Sequence, residues 1–313
     1  MGEPAELQFQ VLGPLEVLIG GRAVALGGPK PRTLLAALLA DPNRVVSTDR
    51  LVDVLWGNRP PERSHTTLQK YVHELRSAID PDRRSGGDRV LLSRPPGYVL
   101  VLEPDQIDAA RFERLLADGQ RRSDRLELDW AKACFDEALA LWRGPAWADF
   151  TDEEFARVEA ARLDSLRALA AESRAEVGLA AGEHAELLAD LEATVAAHPL
   201  RDRPRAQLML ALYRCGRQAD ALRAFQDFRR FLAEEIGLEP SAAIQELDGA
   251  IATRSTTLDL APTGKPSDRD DPPSGTVTFL FTDIEGSTRL WESAPDAMKK
   301  HLYGHFYRQD TYQ

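Results

Sequence analysis

The sequence predicts a mainly α, multidomain protein, with a winged helix-turn-helix unit of α+β type at the N-terminus and an all-α domain of repeated helical hairpins behind it. Three observations carry this. Residues 7–26 alternate apolar and polar side chains and are broken by Gly13-Pro14 and Gly20-Gly21, the pattern of a small antiparallel meander. Residues 60–79 place Leu68, Val72, Leu75 and Ile79 on one helical stripe, and two β-runs, 89–94 and 97–102, follow it. From residue 107 to residue 254 the apolar period is helical almost throughout, with a recurrence of 34 residues inside it.

Composition narrows the class. A chain of 313 residues suggests about two domains. It has no run of 18 or more apolar residues and no basic-then-apolar leader, so a cytoplasmic protein with no membrane partner is expected. Its two cysteines, Cys134 and Cys215, fall in helical patterns and form neither a disulfide framework nor a zinc site. The net charge of −11 is unevenly spread: residues 1–104 carry 13 basic and 12 acidic side chains, and the acidic excess lies beyond them. Between Arg59 and Arg94 the balance is eight basic to five acidic. A local excess on that scale matters more for nucleic acid than the whole-chain sum, which argues only against indiscriminate coating of DNA.

Each element has a local reason. Residues 30–40 form a short amphipathic helix opened by Pro29 and Pro31 and closed by Asp41-Pro42. Residues 45–47 are a brief extended piece, and Ser47 or Thr48 can cap the next helix, 49–56, which Gly57 ends. In the helix over 60–79, Pro60 and Pro61 set the entry and Glu62 sits in the first turn, where an acid suits the dipole. Its remaining faces carry Arg63, Ser64, Thr66, Thr67, Gln69, Lys70, His73 and Arg76. An apolar back and a polar front, followed by a basic hairpin through Pro95-Pro96, is the logic of a recognition helix with a wing on the DNA backbone.

The helical region opens with Asp108 as a cap. After a second helix ended by Arg143-Gly144-Pro145, Thr151 and Glu154 suggest a capping box for a long helix to about Ala181. Gly182 and Gly216, Ala185 and Ala219, Leu188 and Leu222, and Leu191 and Phe225 are each 34 residues apart, the tetratricopeptide period. The domains read as 5–103, 107–254, a polar proline-containing linker over 255–274, and a distinct segment over 275–313.

The stretches VLGPLEV, STDRLVDVLWG, LQKYVHELR and RPPGYVL resemble the N-terminal domain of the Streptomyces antibiotic regulatory protein family. The fold this implies is the DNA-binding domain of the OmpR/PhoB response regulators. LALWRGPAWADF and the run from His198 to Leu247 resemble the same family's bacterial transcriptional activation domain. The resemblance implies a transcription activator of biosynthetic-cluster promoters. It implies repeated half-sites on double-stranded promoter DNA, self-association on that DNA as a dimer, and contact with RNA polymerase through its sigma or alpha subunit. No cofactor is implied.

GTVTFLFTDIEGSTRLWE, residues 275–292, resembles the opening of a class III nucleotide cyclase domain. In that family the residue matching Asp283 binds metal, helped by the carbonyl at the position of Ile284. The second metal aspartate and the base-recognition residues have no match before Gln313, so Asp283 is read as a vestigial ligand and the chain as no enzyme. The alternatives weighed are a cyclase with a regulatory N-terminal region and a tetratricopeptide-like interaction scaffold.

On the recognition helix, Gln69, Lys70, His73 and Glu74 are placed against base edges, with Glu74 also able to pair with Lys70 at i+4. Arg63, Thr66, Thr67, Tyr71, Arg76, Arg89 and Arg94 are assigned to phosphates; Tyr71 borders the apolar stripe and is also a candidate for the core.

Overall fold

The computed structural model describes residues 6–80 and 90–260; Arg89 and the segment from 261 onward, including Asp283, lie outside the described residues. The N-terminal meander forms as its alternation requires. Strands β1 (Leu7–Gln10), β2 (Glu16–Ile19) and β3 (Arg22–Ala23) pair antiparallel, with Leu7 opposite Ile19 and Phe9 opposite Val17. Helix α1 (Pro29–Leu39) leads into β4 (Val46–Ser47), and α2 (Thr48–Trp56) starts where Ser47 Oγ accepts the Arg50 N–H at 3.2 Å. After α3 (Ser64–Ile79), β5 (Leu91–Arg94) and β6 (Gly97–Leu100) form the hairpin. The second sheet has the order β4-β6-β5, all antiparallel.

Helix α3 begins later than the sequence suggests. Consecutive prolines disfavour helical geometry at the residues before them, and a turn forms instead, with the Ser64 N–H donating to the Pro61 carbonyl at 2.9 Å. Glu62 therefore precedes the helix rather than lying in its first turn, and Ser64 is buried rather than on the polar face.

The helical domain runs through α4 (Asp108–Asp124), α5 (Leu128–Ala140), α6 (Glu154–Ala181), α7 (His184–Ala197), α8 (Asp202–Arg214), α9 (Gln218–Glu235) and α10 (Ala242–Thr253). The 34-residue recurrence is structural. Gly182 (φ 89°) and Gly216 (φ 77°) each turn the chain in the left-handed region between helices, which only glycine does without steric cost. Leu191 and Phe225 are buried in one core, and Leu188 and Leu222 pack half-buried against it. Neither expected capping signal forms a cap. Thr151 follows a 3-10 turn (Ala148–Phe150) with helical φ and ψ, so the extended Glu153 takes the cap position of α6 instead. Asp108 is the first residue of α4, and its carboxylate is engaged elsewhere. The start of the expected linker also packs back: Thr256–Leu258 is a 3-10 turn, and Arg214 Nε donates to the Leu258 carbonyl at 2.8 Å.

The boundary near residue 105 is not a boundary in the core. One cluster of buried side chains runs from Leu7 in β1 through the winged helix to Phe112, Phe135, Trp142 and Val177. A second runs from Ala175 to Ile251. The hydrophobic division therefore falls inside the 28-residue helix α6, not between the two sequence domains. Polar bonds tie the same junction. Asp108 accepts from the Val11 and Leu12 amides at 2.8 and 3.0 Å, and the Arg143 and Trp147 amides donate to the Leu12 and Val11 carbonyls, both at 2.8 Å. Asp149 accepts from the Leu15 amide at 3.1 Å and pairs with Arg32 on α1. The VLGPL and WRGPAWADF stretches are thus each other's partners.

Candidate nucleic-acid interface

Helix α3 buries Leu68, Val72, Leu75 and Ile79, the stripe its period specifies. At about 100° per residue, the face opposite that stripe carries Thr66, Lys70, His73 and Ser77, with Gln69 beside them. All five are exposed. The side chains of Gln69 and His73 make no hydrogen bond or ion pair among the described residues, so their donors and acceptors are available to a base edge. Lys70 Nζ lies 3.7 Å from Glu74 Oε1, the i+4 pair. Both side chains are well exposed, so the pair contributes about 0.3–0.5 kcal/mol and yields readily to a competing phosphate or base.

The flanks of α3 are used by the fold. Arg76 Nε donates to the Leu91 carbonyl at 3.0 Å and Nη2 to Ser93 Oγ at 2.9 Å, fastening α3 to the β5–β6 hairpin. The Tyr71 ring stacks on Trp56 of α2, with centroids 6.3 Å apart, and is half-buried. Thr67 Oγ1 donates to the Arg63 carbonyl at 3.0 Å, inside its own first turn. Of the residues assigned to phosphates, these three are held by protein; Arg63 and Thr66 stay exposed at the start of α3, and Arg94 stays exposed at the end of β5.

The wing is anchored at both ends. Arg94 lies opposite Gly97 in the β5–β6 register. The Pro96 carbonyl accepts from the Thr48 amide at 3.1 Å and from Thr48 Oγ1 at 3.0 Å, tying the hairpin turn to the start of α2. Ser77, the tie from Thr48 to the hairpin turn and the wing contacts of Arg76 are not picked out by the sequence. Ser77 could have been found from the helical period; the other two depend on tertiary neighbours. Arg94→Ala is expected to weaken binding to all duplexes alike and to lower the slope of log affinity against log salt by about one, measured by titration at several salt concentrations. An unchanged slope would remove the wing from the interface.

No set of three His, Cys, Asp or Glu residues that could hold a metal occurs among the described residues. No helix among them is long and apolar enough to cross a membrane.

A helix backed by core and fronted by free polar side chains, with a hairpin pinned beside it, defines a winged-helix DNA-binding protein, here built onto a helical-repeat body. Comparison with known proteins gives the same class. Residues 21–100 match the family model described as transcriptional regulatory protein, C terminal, and residues 107–252 match that of the bacterial transcriptional activator domain. The chain is 38% identical over 257 residues to the regulatory protein DnrI of Streptomyces peucetius, covering 81% of this chain and 94% of DnrI. It is 38% identical over 257 residues to the regulatory protein AfsR of Streptomyces coelicolor, of which it spans only 25%. A solved structure of Mycobacterium tuberculosis EmbR, in complex with a low affinity phosphopeptide, superposes with a TM-score of 0.75 at 33% identity, over 80% of this chain and 66% of that one. The chain belongs to the Streptomyces antibiotic regulatory protein family: it is a DNA-binding transcriptional regulator with an activator domain.

Proposed function

We propose that this regulator activates promoters of biosynthetic gene clusters in the cytoplasm, reading double-stranded DNA with α3 and the β5–β6 wing. The exposed row of Thr66, Gln69, Lys70 and His73 on a helix fixed from behind supports this reading most directly. Gln69 can pair bidentately with adenine, and Lys70 can reach guanine O6 or N7. Arg63, Thr66 and Arg94 take phosphates; Arg76 and Tyr71 position the elements that do so. One such unit reads few base pairs, so specificity comes from two copies on repeated half-sites about one helical turn apart. The helical body contacts RNA polymerase at its sigma or alpha subunit, a role that family membership supports.

The test is selection from randomised duplexes with the wild-type protein and with Gln69→Ala and Lys70→Ala. Each substitution should relax preference at one defined base pair per half-site, by about 1–3 kcal/mol, and leave the others intact. Identical selected motifs for all three proteins would refute the assignment of α3 side chains to bases.

A further inference from the structure

A groove of about 760 Å³ crosses α6, lined by α5 on one side and α7 on the other. Ala168, Ala171 and Ala175 recur along the α6 side of it at three- and four-residue intervals, so they share one face of that helix. Leu139 of α5 and Leu191 of α7 add apolar lining. Gln207 of α8 also lines the groove and is only 7% exposed. Its Nε2 donates to the Glu172 carbonyl at 2.7 Å, while its Oε1 has no hydrogen-bond partner among the described residues. A buried amide oxygen left without a donor is costly, because water has been removed and nothing replaces it.

The charges that line the groove set what could relieve that cost. Arg174 of α6 spans the two sides, pairing with Asp136 on α5 and with Asp190 on α7 at 2.9 Å. Asp164 makes no ion pair among the described residues, and the Arg167 guanidinium lies over the Trp142 ring at 4.7 Å. Three carboxylates thus face two guanidiniums, which disfavours an anion. A mostly apolar lining with a few polar groups, at this volume, suits a small organic molecule. A partner helix would meet Gln207 less well, since the amides along a helix are already paired within it.

We propose that this groove binds a small, largely apolar, uncharged organic molecule carrying an N–H or O–H donor for Gln207 Oε1. The site has a place in the architecture. Ala175, which lines it, belongs to the outer core, while Val177, two residues further along α6, belongs to the core shared with the winged helix. A molecule bound there touches α5, which packs with the DNA-binding body, and α7, which packs with the outer repeat.

The probe is 1-aminoanthracene, a neutral aromatic amine whose emission rises when it leaves water, titrated into the full chain. The expected result is saturable binding of one probe per chain, at least tenfold weaker in Gln207→Leu and in Ala171→Phe, which fills the alanine side of the groove. Ala193→Trp, at an exposed position on the groove's edge, should also weaken binding at least tenfold, and it keeps the test valid should Ala171→Phe fail to fold. Non-saturable binding, or equal affinity in Gln207→Leu and Ala193→Trp with unchanged circular dichroism, would overturn the proposal. So would tighter binding of the anion 8-anilinonaphthalene-1-sulfonate than of the neutral amine.

Discussion

Gly97→Ala is expected to destabilise the protein by about 3 kcal/mol or more and to abolish DNA binding under conditions where the wild type binds. A Cβ at this position would sit 1.9 Å from the Val46 carbonyl oxygen and 2.8 Å from the Ser47 Cα. Both are backbone atoms of β4, the strand that pairs with β6 through Val46–Tyr98 and Ser47–Gly97. No rotamer can relieve such a contact, so the strands must separate, and overpacking against backbone falls at the upper end of its usual range. Separation also frees the wing turn from Thr48 and moves Arg94. Urea unfolding gives the stability change and a duplex titration gives the binding. A variant as stable as wild type would show that β4 and β6 can part without cost.

Asp108→Ala is expected to cost about 2–4 kcal/mol at neutral pH, because it leaves the buried Val11 and Leu12 amides without acceptors. The same carboxylate gives the fold a pH dependence. Burial pushes Asp108 up to about 6, against the opposing pull of the two amides and Arg143. The folded state therefore holds this proton more tightly than the unfolded state does. The Asp108 contribution to stability is largest below about pH 4, declines by about 3 kcal/mol as pH rises to about 6, and is flat above that. Asp108→Asn removes the titration. The stability difference between wild type and Asp108→Asn, from urea unfolding at pH 4.5 and pH 7.5, should favour the wild type more at the lower pH. A pH-independent difference would mean that the carboxylate does not change protonation in this window.

Asp108 also shows where sequence reasoning stops. Ser47, Asp108 and Thr151 carry the same local signature, a short oxygen-bearing side chain just before a helical apolar period. Only Ser47 caps its helix, since its backbone is extended and no better partner is near. The Asp108 carboxylate instead meets two amides 97 and 96 residues away, a pairing that no local window contains. The recognition helix was legible for the opposite reason. Its buried stripe and its outward face are both fixed by a period of 3.6, so spacing puts Gln69, Lys70 and His73 on the exposed side, while their assignment to base edges drew on the family resemblance as well. Tyr71, Thr67 and Arg76 lie on the flanks, where the period cannot separate a side chain turned toward DNA from one turned toward Trp56, a neighbouring carbonyl or the wing. The 34-residue recurrence was legible because glycine is required at both turns. The orphaned amide oxygen of Gln207 was not, because satisfaction of a buried group depends on every neighbour in space.

The core shared between winged helix and helical body changes what counts as an interchangeable part. A chimera cut near residue 105 would graft a foreign head onto an Asp108 and a WRGPAW loop shaped for another Val11–Leu15 segment, and would expose or mismatch one continuous interior. The transferable cassette is the head together with the chain through Val177 of α6, which carries both halves of the seam and the whole of that interior. Operator specificity should therefore pass between relatives when that cassette is exchanged whole, and fail to pass when the splice point is the sequence boundary near residue 105.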